Sequence, residues 1–329
     1  MTGVCLITTV LQEAEGVAEL MDSILAQDRP PERVIVADGG STDATVEILR
    51  RYENRLPLSV LVIPGANRSR GRNAAVEACG GRCAAGGPIV ACVDAGCVLA
   101  PDWVECISRP LFEHPDVDVV AGYYAPQPRT LMERAAAAAL TPAVEEVVPE
   151  AFLPSSRSIA FRRAAWERAG GYPEWTPFNE DTVFDVALRR TGAKFVFEPR
   201  ALVRWRPQGR PARIFRQFFR YARGDGLAGL WFGHYAKAYV ELVIAGAIIW
   251  LSVAHRPVWL WALATLAALY WIRVAGRAAR RGADPAAALL APVAMAVVDV
   301  AHICGYAIGI TQRLVLAIVG RAPVIGTRG

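Results

Sequence analysis

Short apolar runs alternate with helical patterns through the first part of the chain, and this alternation is the feature that most restricts the fold. Residues 4–10, 33–37 and 58–63 are largely apolar runs typical of strands buried on both faces. Residues 16–27 and 42–52 carry apolar side chains at helical spacing. Strands joined by helices imply parallel pairing through right-handed crossovers. The sequence therefore predicts an α/β fold with a mixed, mostly parallel sheet.

Acidic residues stand where the predicted strands end. Asp38 closes one apolar run, Asp94 closes a second run over residues 88–93, and an isolated Glu180-Asp181 pair follows later in the chain. In an open parallel sheet, ligands collect in the crevice outside the carboxyl ends of the strands. We therefore expect these carboxylates to line one crevice that suits a nucleotide, a metal ion and a base.

The segment from Asp38 to Asp43 offers both a ligand contact and a helix cap. Asp38 precedes two glycines that let a ligand approach the backbone closely, so its carboxylate is the better candidate for contacting a nucleobase or a ribose. For Asp43, capping of the following helix is the better interpretation. Residues 68–73 place basic groups at the head of another helix, where phosphate oxygens bind favourably. A solvated basic loop explains Arg68 and Arg70 equally well.

Asp94 and the Glu180-Asp181 pair each admit two interpretations. Asp94 provides one hard oxygen ligand for Mg²⁺ or Mn²⁺, and such sites are completed by substrate phosphates, but a single carboxylate is weak evidence. Acidic residues before a helix are stabilised by the helix dipole without further function. A carboxylate held beside a bound sugar can also take the proton from an attacking hydroxyl.

The last third of the chain is far more apolar than the rest. Residues 236–254 and 257–274 each approach the ~20 residues that cross a ~30 Å hydrocarbon layer. A third apolar stretch, residues 286–319, is interrupted by Asp299, His302 and the triplet 311–313, and we expect a third span over residues 286–310. The alternative is a set of buried helices in a soluble domain. Tryptophans near the predicted span ends favour the membrane interpretation.

Basic residues cluster on both sides of the first two predicted spans. By the positive-inside bias, these segments and the N-terminal domain face the cytoplasm, which predicts a multi-pass protein of the inner (cytoplasmic) membrane. Residues 212–232 resemble an amphipathic helix at the membrane interface. The net charge of +5 is then a local attraction to membrane lipids, and no nucleic-acid-binding motif accompanies it. No export signal is visible at the N-terminus. The clusters are Arg200, Arg204, Arg206, Arg210, Arg213, Arg216, Arg220 and Arg223, and Arg273, Arg277, Arg280 and Arg281.

Seven cysteines occur without Cys-x-x-Cys spacing. A cytoplasmic domain keeps such thiols reduced, so the sequence predicts small buried apolar residues rather than a zinc site. The seven are Cys5, Cys79, Cys83, Cys92, Cys97, Cys106 and Cys304.

Several segments, in this order, resemble glycosyltransferase family 2. They are Thr8-Thr-Val-Leu-Gln-Glu13, at the first strand and its acidic loop, Asp38-Gly-Gly-Ser-Thr-Asp43, and Gly71-Arg-Asn73. The resemblance implies a GT-A nucleotide-sugar-binding domain over residues 1–230, with the interfacial helix at 212–232. It also implies a membrane-anchored member whose membrane domain, residues 231–329, has about three transmembrane helices.

The resemblance also implies roles for individual residues. The residues expected to bind the nucleotide are Thr8, Thr9, Glu13, Asp38, Arg72, Asn73 and Asp94, and Asp94 is also expected to bind the metal. The residues expected to act in catalysis are Asp181, as the base, and Glu180. The acceptor or diphosphate would contact Ser158, Arg204, Gln217, Arg220 and Tyr221. The chain departs from the family where Gln217-Phe-Phe-Arg-Tyr221 ends in Tyr rather than Trp. The usual Asp-x-Asp metal motif is Asp94-Ala-Gly96, which lacks the second carboxylate.

The function implied is an inverting glycosyltransferase that moves a sugar from a cytoplasmic nucleotide-diphosphate sugar to a membrane-associated acceptor. The acceptor expected at this location is a lipid-linked sugar or a surface polysaccharide, and the expected cofactor is Mg²⁺ or Mn²⁺. Two alternatives remain open at this point. One is a processive polysaccharide synthase, and the other is a catalytically silent membrane scaffold that binds a sugar nucleotide.

Overall fold

The computed structural model describes residues 3–80, 89–254 and 259–328, and these residues form two compact units. The first, here the sheet unit, comprises Met1–Gln127, Val144–Arg206 and Val324–Gly329. The second, here the helical unit, comprises Pro128–Ala143 and Pro207–Pro323. The division differs from the boundary predicted at residue 230, because the segment from residue 207 onward already belongs to the helical unit.

The described residues contain one sheet of eight strands, in the order β3-β2-β1-β4-β7-β6-β8-β5. Strands β1 to β4 are joined by parallel pairs, β6 pairs in parallel with β8, and the other three pairs are antiparallel. The predicted mixed α/β sheet, mostly parallel, is therefore confirmed. The strands are β1 (Val4–Val10), β2 (Arg33–Asp38), β3 (Leu58–Val62), β4 (Ile89–Cys92), β5 (Cys97–Leu99), β6 (Val119–Pro126), β7 (Ile159–Arg162) and β8 (Phe195–Trp205).

Helices follow most strands, as the alternating sequence pattern predicts. In the sheet unit they are α1 (Val17–Leu25), α2 (Thr45–Arg50), α3 (Arg68–Ala78), α4 (Trp103–Glu113), with α6 (Arg163–Arg168) and α7 (Glu180–Arg190) after residue 144. In the helical unit they are α5 (Leu131–Leu140), α8 (Pro211–Ala228), α9 (Phe232–Ala254), α10 (Trp259–Arg280) and α11 (Pro285–Ile318).

Two hydrophobic clusters of the sheet unit cover the two faces of the sheet. Successive residues of a strand point to opposite faces, so Leu6 belongs to one cluster and Ile7 to the other. The first cluster includes Leu20 of α1 and Trp103 of α4, and the second includes Trp166 of α6. Because both faces are covered, the central strands are apolar throughout, and polar residues are left to the strand ends, where they can form a site.

The helical unit begins with a short helix that carries its own cap. The side chain of Thr130 accepts a hydrogen bond from the N–H of Glu133, and the Glu133 carboxylate accepts the N–H of Thr130, so α5 starts with a capping box. Helix α8, Pro211–Ala228, covers most of the interfacial segment predicted at residues 212–232 and ends before its predicted limit.

Three helices of the described chain are long and apolar enough to cross a membrane: α9, α10 and α11. The first two correspond to the spans predicted at residues 236–254 and 257–274. The third is a helix of 34 residues, longer than the predicted span at residues 286–310.

Candidate active site

The loops that follow β1 and β2 are tied together by Gln12. Its side-chain oxygen accepts the N–H groups of Thr42 and Asp43 at 3.1 Å each, and its backbone N–H donates to the hydroxyl of Ser41 at 2.9 Å. The backbone of Gln12 has a φ of 57°, in the left-handed region. Each loop therefore fixes the other at the carboxyl edge of the sheet.

Asp38 ends β2 and keeps one carboxylate oxygen without a partner. Its Oδ2 accepts the N–H groups of Gly40 and Ser41 at 2.9 Å each, whereas its buried Oδ1 has no hydrogen-bond partner among the described residues. Within the same residues, the buried hydroxyl of Thr8, on the neighbouring strand β1, also lacks one. Since Val10 pairs with Asp38, alternation places Thr8 and Asp38 on the same face of the sheet. Buried polar atoms are rarely left unpaired, so this pair suits a ligand.

Asp43 is used within the protein, in agreement with the capping interpretation. Its Oδ1 accepts the N–H of Thr45, the first residue of α2, and its Oδ2 accepts the N–H of Ala14. The hydroxyl of Thr45 also donates to Asp43, and this bond is the main cause that lowers the pKa of Asp43. Glu13 lies in the same loop pair, where burial raises the pKa of its carboxyl although Arg68 opposes the shift.

Arg72, on α3, joins two of the predicted acidic points. Its Nη1 donates to Oε1 of Glu180 at 2.7 Å, and its Nη2 donates to Oδ1 of Asp94 at 2.8 Å. The guanidinium also lies 5.3 Å from the ring centre of Tyr172. One buried cation therefore connects the loop after β4 with the N-terminus of α7, although Arg72 and Glu180 are 108 residues apart.

The charges of this network are held by their mutual contact. Burial disfavours the charged form of Arg72, but Glu180 and Asp94 raise the pKa of the guanidinium well above its ordinary value. For Asp94, partial burial opposes ionisation, yet Arg72 and then Arg157 keep the pKa below its usual range. Asp94 is therefore ionised at neutral pH, and its side chain is 32% exposed while those of Arg72 and Glu180 are 2% and 5% exposed.

Asn73, next along α3, acts as a clamp inside the protein. Its amide nitrogen donates to the carbonyl of Tyr172 and to the carboxylate of Glu174, and its oxygen accepts the N–H groups of Tyr172 and the Trp166 indole. An amide side chain has two donors and two acceptor positions, and all four are occupied here. Asn73, predicted as a nucleotide contact, thus holds the chain between α6 and α7 against α3.

Asp181, in the first turn of α7, is partly exposed. Its Oδ2 accepts the hydroxyl of Ser155 at 3.2 Å, and its Oδ1 accepts the N–H of Thr182 at 2.9 Å. One turn further along the helix, Asp185 is buried, and its Oδ2 has no hydrogen-bond partner in the part of the chain that the structure describes. Burial, reinforced by the negative charge of Asp181, raises the pKa of Asp185 well above its ordinary value, so the folded protein favours the protonated form of this carboxyl.

The residues predicted on the acceptor side fall in different places. Ser158 is fully buried: its hydroxyl donates to the carbonyl of Ala201 and accepts the indole N–H of Trp103, so the structure does not place it where an acceptor could reach it. Arg204 lies exposed on β8. The predicted residues Gln217, Arg220 and Tyr221 lie on α8 in the helical unit, where the Gln217 amide donates to the Tyr221 hydroxyl.

Three features of the site were missed by sequence reasoning. Asp185 had the signal of an acidic residue on the apolar side of a helix, four residues after Asp181. Gln12 had no local signal, because its role depends on a residue 30 positions away. Arg157 donates to the hydroxyl of Ser155 and lies 4.7 Å from the ring centre of Trp205, and only the folded chain brings these together.

The cysteines correct one prediction. Cys5 of β1 and Cys79, at the end of α3, form a disulfide, so the expectation that all cysteines stay reduced is wrong for this pair. Cys92, Cys97 and Cys106 are free and buried, and Cys304 is free and exposed. Cys83 lies outside the described residues. Among the described residues no group of three or more His, Cys, Asp and Glu side chains could hold a metal ion.

Comparison with known families gives two matches. Residues 5–164 match the family described as Glycosyl transferase family 2, and residues 89–298 match the one described as Glycosyl transferase family group 2. The second match alone spans more than half of the chain.

Individual proteins resemble the chain over most of its length. Succinoglycan biosynthesis protein ExoA of Rhizobium meliloti (strain 1021) is 27% identical over an alignment of 300 residues, which covers 84% of this chain and 87% of that protein. The solved structure of mannosyltransferase PcManGT from Pyrobaculum calidifontis, in complex with GDP-Man and Mn²⁺, has a TM-score of 0.57 at 23% identity and covers 95% of this chain and 88% of its own. S. aureus TarS 1-349, in complex with UDP-GlcNAc, has a TM-score of 0.50 at 18% identity, with coverages of 95% and 92%. At these identities the structural likeness establishes the fold alone.

Proposed function

We propose, from the premise that the chain belongs to glycosyltransferase family 2, that it is an inverting enzyme in which Asp181 is the general base. The resemblance found in the sequence is thereby confirmed at the level of family and of the GT-A fold. The chain is a glycosyltransferase that uses a nucleotide-sugar donor. The inversion, the roles of individual residues and the acceptor form the proposal.

The observation that carries the proposal is the pair of neighbouring acids at the start of α7. Glu180 is buried and bound to Arg72, whereas Asp181 is partly exposed and accepts the Ser155 hydroxyl and a backbone N–H. The first acid therefore anchors the helix end, and the second has an exposed carboxylate. In this proposal Glu180 is a positioning residue, and Asp181 is the group that touches substrate.

The donor nucleoside is assigned to the edge formed by β1 and β2. The unpartnered Oδ1 of Asp38 can accept a hydrogen bond from a nucleobase N–H or a ribose hydroxyl, and the unpartnered Thr8 hydroxyl can donate or accept one. Thr9 and Glu13 line the same edge, and Arg68 at the head of α3 supplies positive charge for a phosphate. These contacts satisfy buried polar atoms that the protein itself leaves unpaired.

The proposed reaction is a single displacement. The acceptor hydroxyl gives its proton to a carboxylate oxygen of Asp181, its oxygen forms a bond to the anomeric carbon, and the bond from that carbon to the diphosphate oxygen breaks. The diphosphate leaves with the bonding electrons. Attack from the face opposite the leaving group inverts the anomeric configuration. A general base of this kind contributes about 10² to 10⁴ to the rate.

A divalent cation fits the site only if the donor completes its coordination. Asp94 is ionised and partly exposed, but Gly96 stands where the family has a second carboxylate, and the described residues contain no other acidic cluster for a metal. Mg²⁺ and Mn²⁺ sites of this type use one or two carboxylates plus substrate phosphates, so Asp94 would hold the cation together with the diphosphate. When bound, the cation would neutralise charge on the leaving group. PcManGT was solved with Mn²⁺ and GDP-Man, which supports this assignment.

The acceptor is proposed to be membrane-associated. The similar protein ExoA is a succinoglycan biosynthesis protein, and three helices of this chain are long and apolar enough to cross a membrane. A lipid-linked sugar or a growing surface polysaccharide at the cytoplasmic face of the inner membrane fits both facts. Arg204, Gln217, Arg220 and Tyr221 remain our proposed contacts for the acceptor or the diphosphate.

The test compares Asp181→Asn with Glu47→Gln in the full-length protein. Donors are first screened by the thermal stabilisation they produce with and without Mn²⁺, because a ligand that binds only the folded state raises its stability. With the best donor, Asp181→Asn should lower kcat by about 10²-fold or more while donor affinity is retained. Glu47 is exposed on α2 and serves as the control, which should stay at the wild-type rate. Turnover of Asp181→Asn near the wild-type rate would remove the general-base assignment.

A further inference from the structure

The C-terminal residues return to the sheet unit and pack against it. The guanidinium of Arg328 pairs with Glu77 at 2.5 Å and lies 4.6 Å from the ring centre of Trp166. The backbone carbonyl of Arg328 accepts the N–H of Glu174 at 2.7 Å. Ile325 packs against the hydrophobic cluster that contains Trp166. Residues in direct contact lie on the same side of any membrane, so the C-terminal end is on the side of the sheet unit.

This return restricts the number of membrane crossings. The chain leaves the sheet unit after Arg206 and re-enters it at Val324, and α9, α10 and α11 all lie between these points. A chain that begins and ends on one side of a bilayer crosses it an even number of times. The other segment of the helical unit, Pro128–Ala143, contains the ten-residue helix α5, which is too short to span a membrane. Single crossings by all three apolar helices are therefore incompatible with the docked C-terminal end.

The three apolar helices differ in how much of their surface the protein covers. In the most apolar window of α9 and of α10, 6% and 0% of the residues are buried, against 39% in α11. The buried residues of α11 recur every three or four positions, so they form one face of the helix. They are Ala287, Ala288, Ala291, Pro292, Ala294, Val298, Ala301, Gly305, Tyr306 and Gly309.

Helix α8 packs closely along this buried face. A Cβ added at Gly305 would stand 2.4 Å from the carbonyl oxygen of Phe219, and one at Gly309 would stand 2.2 Å from that of Arg223, so only glycine allows this approach. Further along, the Arg313 guanidinium donates to the carbonyl of Leu227 at 3.1 Å. The two helices therefore share one depth relative to a bilayer.

The composition of α8 indicates that this helix does not lie in the hydrocarbon layer of a membrane. The helix carries four arginines and an aspartate in 18 residues. Arginine and aspartate are among the residues that insert least favourably at the bilayer centre. Helix α11, at 34 residues, is about 51 Å long by its rise per residue, well beyond the ~30 Å of the layer. Its length and its neighbour both fit a helix that lies along the membrane interface.

We propose that α9 and α10 cross the bilayer as a two-helix hairpin, and that α11 does not cross but lies in the interface on the side of the sheet unit. The outer face of α11 remains apolar, with Leu289, Val300 and Leu314 at 64%, 54% and 59% exposure, as expected for contact with the acyl-chain boundary. This topology goes beyond the proposed function and does not depend on it. It replaces the third predicted span at residues 286–310.

The test locates three single cysteines relative to the membrane. In a Cys304→Ala background, Glu53→Cys reports on the sheet unit, Thr327→Cys on the C-terminal end, and His255→Cys on the connection between α9 and α10. Glu53 and Thr327 are exposed and leave the contacts of Arg328 in place. Each variant is treated with a membrane-impermeant maleimide in sealed vesicles of both orientations, and labelling in detergent establishes that the thiol is reactive.

Labelling at positions 53 and 327 should occur in the same vesicle orientation, and labelling at position 255 in the other. The Cys304→Ala parent gives the background of the remaining native cysteines. If positions 53 and 327 label in opposite orientations, the number of crossings is odd and the proposal fails. If position 255 labels together with both, α9 and α10 do not cross and the proposal fails as well. Sugar transfer is measured on the same variants, so a failure of the topology is distinguishable from a failure of the enzymatic assignment.

Discussion

The buried ion pair between Arg72 and Glu180 predicts a large loss of stability when the carboxylate is removed. The Nη1 to Oε1 distance is 2.7 Å, and the two side chains are 2% and 5% exposed. In Glu180→Ala the guanidinium keeps Asp94, which is 2.8 Å away and 32% exposed. The buried cation then has half of its carboxylate partners among the described residues, and water cannot replace the lost one without opening the site.

The magnitude follows from the cost of breaking a buried pair. Removal of one partner costs about 3–5 kcal/mol, and because Asp94 compensates in part, we expect the lower end, about 3 kcal/mol. For a domain of 150–250 residues each kcal/mol shifts the melting temperature by about 2–4 °C, so Glu180→Ala should melt about 6–12 °C below the wild type. Glu180→Gln keeps a hydrogen-bond acceptor, so its melting temperature should lie between those of Glu180→Ala and the wild type.

The assay is calorimetric melting of the full-length protein in detergent, with Glu47→Ala as the matched control. Glu47 also pairs with an arginine, Arg51, but these side chains are 70% and 68% exposed, and such a surface pair contributes about 0–1 kcal/mol. The control should therefore melt within about 4 °C of the wild type. Equal shifts for Glu180→Ala and Glu47→Ala would refute the reasoning, because burial would then make no difference to the pair.

Two further predictions concern the same unit. Gly71→Ala would place a Cβ 2.9 Å from Cγ2 of Thr9 and should lower the free energy of unfolding by about 1–3 kcal/mol. Gly96→Ala is the control: its added Cβ would meet no described atom within 4 Å, so its melting temperature should stay close to that of the wild type. Equal losses for the two variants would contradict the packing at Gly71. Because burial and the charge of Asp181 raise the pKa of Asp185, the folded state favours its protonated form, so wild-type stability should fall as pH rises from the unfolded-state pKa towards the raised one. Asp185→Asn should remove that decline in melting temperature as pH rises above the ordinary carboxyl range, and an unchanged slope would show that Asp185 is already ionised.

Local patterns were enough for the strands at the start of the chain. The apolar run predicted at residues 4–10 is β1, with the same bounds, and the runs at 33–37 and 58–63 are within one residue of β2 and β3. Strands β1 and β2 are buried on both faces, so their composition alone marks them, whereas β3 lies at the edge of the sheet and is partly exposed. Helix α5 ends at Leu140 for an equally local reason, because Thr141 precedes a proline and is driven to an extended backbone.

Elements that depend on distant partners were not predictable. Strand β5 has three residues and exists through its antiparallel pairing with β8, more than 100 positions away, which no window of local sequence contains. Helix α8 includes two glycines, Gly224 and Gly226, which weaken a helix when it is isolated. A Cβ at Gly226 would stand 2.7 Å from the carbonyl oxygen of Tyr306, so packing against α11 decides both the glycine and the helix.

The candidate site shows the same division between what is local and what is distant. Asp38 and Asp94 were predictable because each follows a buried strand, and a strand end is visible in the sequence. The hydrogen-bonding groups of Asn73 are all used by the protein, partly through a contact with Tyr172, 99 positions away. Ser158 is fully buried through contacts with residues 43 and 55 positions away. A motif therefore locates a segment near the site, but the partners of each side chain decide whether it faces a ligand or the protein.

Burial across the Arg72 network indicates why a charged group occupies this interior position. A buried ion pair is rarely more stable than apolar side chains of the same volume, so stability alone does not account for it. The side chains of Arg72 and Glu180 are 2% and 5% exposed, and that of Asp94 is 32% exposed. The buried pair of Arg72 and Glu180 therefore holds together two elements that are distant in the chain. Asp94 presents an accessible carboxylate that its basic neighbours keep ionised. An apolar replacement could fill the space, but it could not fix the loop after β4 and the start of α7 at one hydrogen-bonded distance. The network therefore sets the spacing between the carboxylate that would face the diphosphate and the helix that carries Asp181.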